Sequence, residues 1–264
     1  MKGLDKLSKC HYIQFYNGDD IIQIPDCYRK KAIMIEKIRL QPLVSLKNEF
    51  VVGYEALYRK EVLSEFPSAT AIVESIFQNY AFKNRLYVNM TPNDAIDPNF
   101  AKDFLKRLNK MKISRKNIVL EVNENTNPEF IELIKKNLGL LRSRGVKIAL
   151  DDFGTEYSTL SFLQELPVDI VKIDQRFIQM APSSRKARSI MKFAVHVSHD
   201  LGCKVVAEGI ETTEILDCVS EAGADIGQGY IFSAIKQKPS PFVSFRELLS
   251  GLVKAPIKAY YCAC

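Results

Sequence analysis

The sequence predicts an α/β fold: a single (β/α)8-type TIM barrel whose first strand is irregular and partly antiparallel. Three observations predict it. Short runs rich in Val, Ile, Leu and Tyr recur along the chain, with helical stretches between them. From Leu86 onward these runs follow one another mostly near the roughly 30 residues of a βα unit. No stretch rich in Pro, Gly or Ser divides the 264 residues, so the strands belong to one sheet. Seven or eight parallel strands in about 250 residues fit a closed barrel better than an open sheet.

Taken in order, residues 1–34 are too short for a domain and are expected as an N-terminal extension packing on the barrel as a strand or helix. The barrel itself is assigned to residues 35–255 and a tail to 256–264. "LQPLVSLKNEFVVGYEALYR" reads as two strands joined by a tight turn at Leu46-Lys47-Asn48-Glu49, hence as an antiparallel pair. The following strands are "LYVNM", "IVLEV", "VKIALD", "DIVKID", "KVVAE" and "ADIGQGYIF". "NPEFIELIKKNLGLLRSRG" predicts a helix capped by Asn127, with Pro128 in its first turn and Gly145 at its end. "SSRKARSIMKFAVHVSHDLG" opens on serines and stops at Gly202, and "SPFVSFRELLSG" repeats a Ser-Pro start and a glycine stop.

Composition narrows the function classes. Hydrophobic residues are 47% of the chain, enough for a sizeable core. No apolar run approaches the roughly 18 residues of a membrane span, and "MKGLDKLSKCHY" lacks the apolar centre of a signal peptide. A cytoplasmic protein without a membrane partner is expected. The net charge is +6, but the basic residues of "YRKKAIMIEKIR" alternate with apolar ones as on a solvated helix face, so no nucleic acid is expected. Cys10, Cys27, Cys203, Cys218, Cys262 and Cys264 form no zinc-type spacing and read as free thiols in a reducing compartment. The C-x-C at Cys262 and Cys264 reads as a frayed terminus.

The apolar runs share a feature where they stop. They end in Glu55, Asn89, Glu121, Asp151 with Asp152, Asp174, Glu208 and Gln228. Loops are polar in general, which accounts for one or two such residues. It does not account for an acid or amide every time. In a parallel barrel these ends converge on one mouth, where barrel enzymes hold their sites. A ring of bare carboxylates repels itself, and cations relieve that repulsion. Carboxylate and amide oxygens suit Mg²⁺ or Mn²⁺. His11, His196 and His199 lie away from the strand ends, which disfavours zinc.

The adjacent pair Asp151-Asp152 is then intelligible: one aspartate bridges two cations while its neighbour serves the second. Two cations roughly 3.5–4 Å apart are the usual apparatus for in-line attack on a phosphate ester. Lys172 precedes Asp174 by two and shares its strand face. In the mouth it would stabilise a phosphoryl oxygen or a water; the plainer alternative is an ion pair with Asp174 alone.

Together these residues resemble the EAL domain family of cyclic di-GMP phosphodiesterases. The name-giving motif is Glu55-Ala56-Leu57 in "GYEALYR", and the resemblance runs from about Ile35 to Pro239. Each motif alone is weak, whereas their order and spacing are specific. The resemblance implies that Glu55, Asn89 (in "VNMTP") and Glu121 (in "LEVNEN") bind one metal, and that Asp151 bridges to a second served by Asp152 and Glu208. It implies that Lys172 helps to activate the attacking water, within a catalytic set of Glu55, Asp151, Lys172 and Glu208. Gln41, Leu57 and Arg59 match contacts to the dinucleotide; Asp174, Glu211 and Gln228 match further substrate or supporting positions. Glu124 matches a glutamate that steadies the loop after Asp151-Asp152. The implied reaction is hydrolysis of cyclic di-GMP to linear pGpG with two Mg²⁺ or Mn²⁺ ions, lowering the level of this second messenger. Family analogy also allows a homodimer.

The sequence departs from the family at three places. Glu156 replaces the glycine of the family's D-D-F-G-T-G-Y-S loop. Glycine tolerates positive φ and glutamate does not. Asn123 replaces the threonine of the E-L-T-E motif, and the ending "QGYIFSAIKQKP" is longer than the family's. The alternative function, suggested by Glu156 alone, is a catalytically weak or inactive member that acts as a cyclic di-GMP receptor or protein-binding regulator.

Overall fold

The structure, a computed structural model, describes residues 12–17, 20–25, 37–59, 66–79, 82, 84–123, 128–154 and 159–234. Glu124, Glu156, the Asn127 cap, the "SPFVSFRELLSG" segment and the Cys262/Cys264 tail lie outside these residues. The chain divides into two units, residues 1–38 with 237–264, and residues 39–236. In the first unit, β1 (Tyr12–Asn17) and β2 (Asp20–Pro25) form an antiparallel hairpin.

The second unit is the barrel. Its strands are β3 (Ile38–Ser45), β4 (Val51–Tyr58), β5 (Arg85–Asn89), β6 (Ile118–Asn123), β7 (Lys147–Phe153), β8 (Ile170–Ile173), β9 (Lys204–Ala207) and β10 (Ile226–Gln228). They close in the order β10-β3-β4-β5-β6-β7-β8-β9. Strands β4 to β10 run parallel, while β3 pairs antiparallel with β10. The irregular first strand expected from the sequence is therefore β3. Its turn into β4 is held by Glu49 N donating to Ser45 O at 2.8 Å and Ser45 N to Phe50 O at 2.9 Å.

Helices cover the parallel strands: α1 (Ala69–Asn79), α2 (Pro92–Ile96), α3 (Phe100–Lys110), α4 (Ile131–Ser143), α5 (Thr159–Glu165), α6 (Gln175–Met180), α7 (Arg185–Asp200) and α8 (Thr213–Ala222). Sequence pattern explains their faces. In α3 the residues Phe100, Ala101, Phe104, Leu105 and Leu108 recur at helical spacing and are buried. Every residue of β8 is buried, as expected for a parallel strand covered on both sides. The helix predicted after Asn127 starts later: Pro128–Phe130 is a 3₁₀ turn and the α-helix begins at Ile131. Such tight turns are common at helix N-termini, where the first N–H groups have no partner within the helix. The predicted end holds, with Gly145 at φ +92°. In α7 the Ser184 hydroxyl accepts from Ala187 N at 3.2 Å, and His196 and His199 both fall within the helix.

One core layer positions the site. Leu43, Tyr87, Val119, Ala149, Ile170, Val206 and Ile226 come from seven different strands and pack as one buried cluster. The remaining strand, β4, has Gly53 at this level, where a Cβ would lie 2.8 Å from the Tyr87 ring. Tyr87 thus fills the place of the missing side chain. Side chains on a strand alternate, so the next inward residue is two positions on. From Tyr87, Val119, Ala149, Ile170, Val206 and Ile226, two positions on are Asn89, Glu121, Asp151, Lys172, Glu208 and Gln228. From Gly53 it is Glu55, and in the reversed β3 it is Gln41, two positions before Leu43. The polar ring is the layer directly above the apolar one.

Candidate active site

Lys172 is the centre of this ring. It is 1% exposed, and its Nζ lies 2.8 Å from Glu121 Oε1, Asp151 Oδ1 and Glu208 Oε1 and 3.4 Å from Glu55 Oε2. The four carboxylates come from β4, β6, β7 and the end of β9, and the lysine from β8. The plainer alternative, an ion pair of Lys172 with Asp174 alone, is not what the structure holds. Asp174 instead caps α6: its Oδ1 accepts from Arg176 N and Arg176 Nε, each at 2.8 Å. The reason is local, because the N-terminus of α6 offers free N–H groups to the residue just before it.

Amides complete the floor. Gln228 Nε2 donates to Glu55 Oε2 at 2.6 Å and to Gln41 Oε1 at 3.1 Å. Asn89 Nδ2 donates to Glu55 Oε1 at 3.3 Å, which leaves its carbonyl oxygen as a further donor atom for a cation. The lysine contacts to Glu121 and Asp151 are ion pairs at 2.8 Å. Beyond those ion pairs, Glu121 Oε1 and Oε2, Asp151 Oδ1 and Gln228 Oε1 are buried with no hydrogen-bond donor among the described residues.

Asp151 and Asp152 break the rule that neighbours on a strand point to opposite faces. The register of β7 against β8 shifts between Leu150 and Phe153, and Asp152 has φ +57°. Aspartate is among the few residues that enter this left-handed region without large strain. The bulge returns Asp152 to the mouth, where it is joined with Asp151 and Glu208. Ligand atoms of these three lie within 4.8 Å of one another. Asn123 Nδ2 donates to Asp152 Oδ2 at 2.7 Å. Sequence reasoning assigned Asn123 no role. The signal was its position two residues beyond Glu121, on the same strand face.

The ionisation states follow from burial and charge. Burial pushes the Glu121 carboxyl well above the ordinary carboxylate range, with the Glu55 and Asp151 charges adding and Lys172 opposing. Burial also raises Glu55, but Lys172 and the Gln228 hydrogen bond outweigh it, and the group stays below its ordinary value. Glu208 is raised to about 7 by burial, against the pull of Lys172. Burial raises Asp152, with the Asp151 and Asp174 charges adding and the Asn123 bond opposing. Burial alone would lower Lys172, yet the surrounding carboxylates hold it well above the ordinary lysine value, so it is a fixed cation.

Other expected residues stand further out. Leu57 is 38% exposed on β4, two positions beyond Glu55, and Arg59 is exposed just past the strand end. Glu211 is exposed and accepts from Gln179 Nε2 at 3.2 Å. Among the described residues no hydrogen bond or ion pair joins these three to the lysine-centred group. The donor set fits hard divalent cations: carboxylate and amide oxygens, several buried without a hydrogen-bond donor, in a ring with more negative than positive groups. Among the described residues no helix is long and apolar enough to cross a membrane.

Comparison with known proteins gives the following similarities. The EAL domain family model matches residues 66–234, from just after the strand that carries Glu55. The cyclic di-GMP phosphodiesterase PdeA of Borreliella burgdorferi is 33% identical over 198 residues, covering 74% of this chain and 27% of that protein. A standalone versatile EAL protein from Vibrio cholerae O395, in its c-di-GMP bound form, has a TM-score of 0.66 at 26% identity, covering 74% of this chain and 89% of that one. Klebsiella pneumoniae BlrP1, in a manganese/cy-diGMP complex, also reaches 0.66 at 26% identity, covering 74% of this chain and 54% of that one. The chain spans about a third of the length of the first curated relatives it matches.

Proposed function

Because the chain belongs to the EAL domain family, we propose that it is a metal-dependent phosphodiesterase that hydrolyses cyclic di-GMP to linear pGpG. The observation that carries this reading is the buried Lys172 ringed by four carboxylates at the barrel mouth. Glu55, Asn89, Glu121 and Asp151 would hold one Mg²⁺ or Mn²⁺, and Asp151, Asp152 and Glu208 a second. Such ions lower the pKa of a water and neutralise charge on the phosphoryl oxygens.

The chain's own groups supply the rest. Lys172 is held protonated, so its N–H groups can only donate; they orient a water or a phosphoryl oxygen above the ring. Gln228 and Asn89 keep the Glu55 carboxylate in one orientation. Gln41 on β3, Leu57 on β4 and Arg59 just past β4 would meet the dinucleotide, and the exposed Arg59 guanidinium is suited to grip a phosphate through two parallel N–H bonds. In the overall reaction water adds to phosphorus, the P–O3′ bond breaks, and the 3′ oxygen leaves with a proton.

The test is incubation of the purified protein with cyclic di-GMP and Mg²⁺ or Mn²⁺, with chromatography of the nucleotides and a chelator control. Formation of pGpG that the chelator abolishes is the expected result. Saturable binding without product would replace this reading with the receptor one, and neither binding nor product would overturn both.

A further inference from the structure

We propose that Asn123 is a positioning residue that fixes Asp152 as a one-oxygen cation ligand, and so biases the second cation position toward small octahedral ions over Ca²⁺. The inference rests on the metal-dependent reading above. Asn123 pairs in register with Asp151 across β6 and β7. Its side-chain amide reaches one residue beyond that partner, where Nδ2 donates to Asp152 Oδ2 at 2.7 Å. Asp152 is the residue at φ +57° inside the β7 bulge. The bond therefore ties down the one backbone position whose conformation decides whether two consecutive aspartates can share the mouth.

The same bond engages one of the two Asp152 oxygens. Carboxylate oxygens of Asp151, Asp152 and Glu208 lie within 4.8 Å of one another around their common space. Mg²⁺, and Mn²⁺ with it, take oxygen ligands singly in near-octahedral sites, whereas Ca²⁺ takes more ligands at longer distance and often both oxygens of a carboxylate. For Asp152 to chelate with both oxygens, its carboxylate must turn to bring Oδ2 onto the cation, and the 2.7 Å bond from Asn123 holds it against that turn. A threonine, the residue expected here from the family resemblance, also offers a single donor, so the device is chemically interchangeable while the chain length differs.

The experiment is calorimetric titration of the full chain with Mn²⁺ and separately with Ca²⁺, in the absence of nucleotide, for the wild type, Asn123→Ala, Asn123→Thr and Asn123→Leu, each checked by its melting temperature. Loss of such a supporting hydrogen bond typically weakens metal binding by about 10–100-fold. The expected result is a fall of this size for Mn²⁺ in Asn123→Ala, a smaller fall for Ca²⁺, and return of the Mn²⁺ preference in Asn123→Thr. Asn123→Leu, similar in size and without a donor, carries the test if Asn123→Ala does not fold. An unchanged Mn²⁺/Ca²⁺ affinity ratio in the donor-free variants overturns the inference while leaving the metal site standing. A wild type that binds neither cation overturns the metal-dependent reading itself, and the inference with it.

Discussion

Replacing Lys172 with methionine removes the one buried cation from a ring of four carboxylates and keeps its volume. Each 2.8 Å contact corresponds to about 6 kcal/mol of gross attraction at an effective dielectric near 20. Most of that is offset by desolvation and by repulsion among the carboxylates, and stripping one partner from a buried pair leaves a net cost of about 3–5 kcal/mol. For a chain of this size that is a fall of about 6–20 °C in melting temperature. Two signatures separate electrostatics from lost packing. Without the lysine, Glu121 and Glu208, already raised by burial, rise further in the folded state, and Glu55 loses the charge that holds it low. A folded-state pKa above the unfolded one means that stability is lost as pH rises through that interval. The deficit of Lys172→Met in chelator is therefore smaller at pH 5 than at pH 8. Divalent cation, binding the same oxygens, narrows it. The assay is thermal unfolding of both proteins at the two pH values, with chelator and with Mn²⁺. A deficit that neither pH nor cation changes would refute the electrostatic account and leave only a packing defect.

Glu55→Ala removes a carboxylate that binds Lys172 and accepts from Gln228 and Asn89; pGpG formation is expected to vanish, and retained turnover would sink the ligand assignment. Glu208 is raised from about 4.5 to about 7 by burial, so the metal-free fold loses stability as pH rises through that interval. Cation binding must displace that proton, so affinity rises from pH 6 to pH 8, readable as proton release in calorimetry with two buffers. Gly209 has φ +69°, and a Cβ there would lie 2.5 Å from Gln175 Cβ. Gly209→Ala is thus expected to cost more than the roughly 1 kcal/mol scale of an unstrained glycine change, measured by denaturant unfolding, and to weaken cation binding by shifting Glu208.

The sequence by itself determined the barrel and the identity of its polar ring. Strand periodicity placed Glu55, Asn89, Glu121, Asp151, Glu208 and Gln228 at strand ends, and the turn residues after Ser45 marked the antiparallel entry. These are local properties: alternation fixes which residues share a face, and turn chemistry fixes where a strand stops. Which charges meet was decided only in three dimensions. Lys172 and Asp174 share a strand face in the sequence, yet one lies among four carboxylates and the other is drawn to the N-terminus of α6. Asp152 reaches the mouth through a bulge that alternation forbids, held by Asn123 from another strand. Gly53 faces the core because the Tyr87 ring from the neighbouring strand fills its place. Pattern along a chain cannot report such events, because a bulge, a helix N-terminus and a ring filling a neighbour's space acquire their energies from residues distant in sequence.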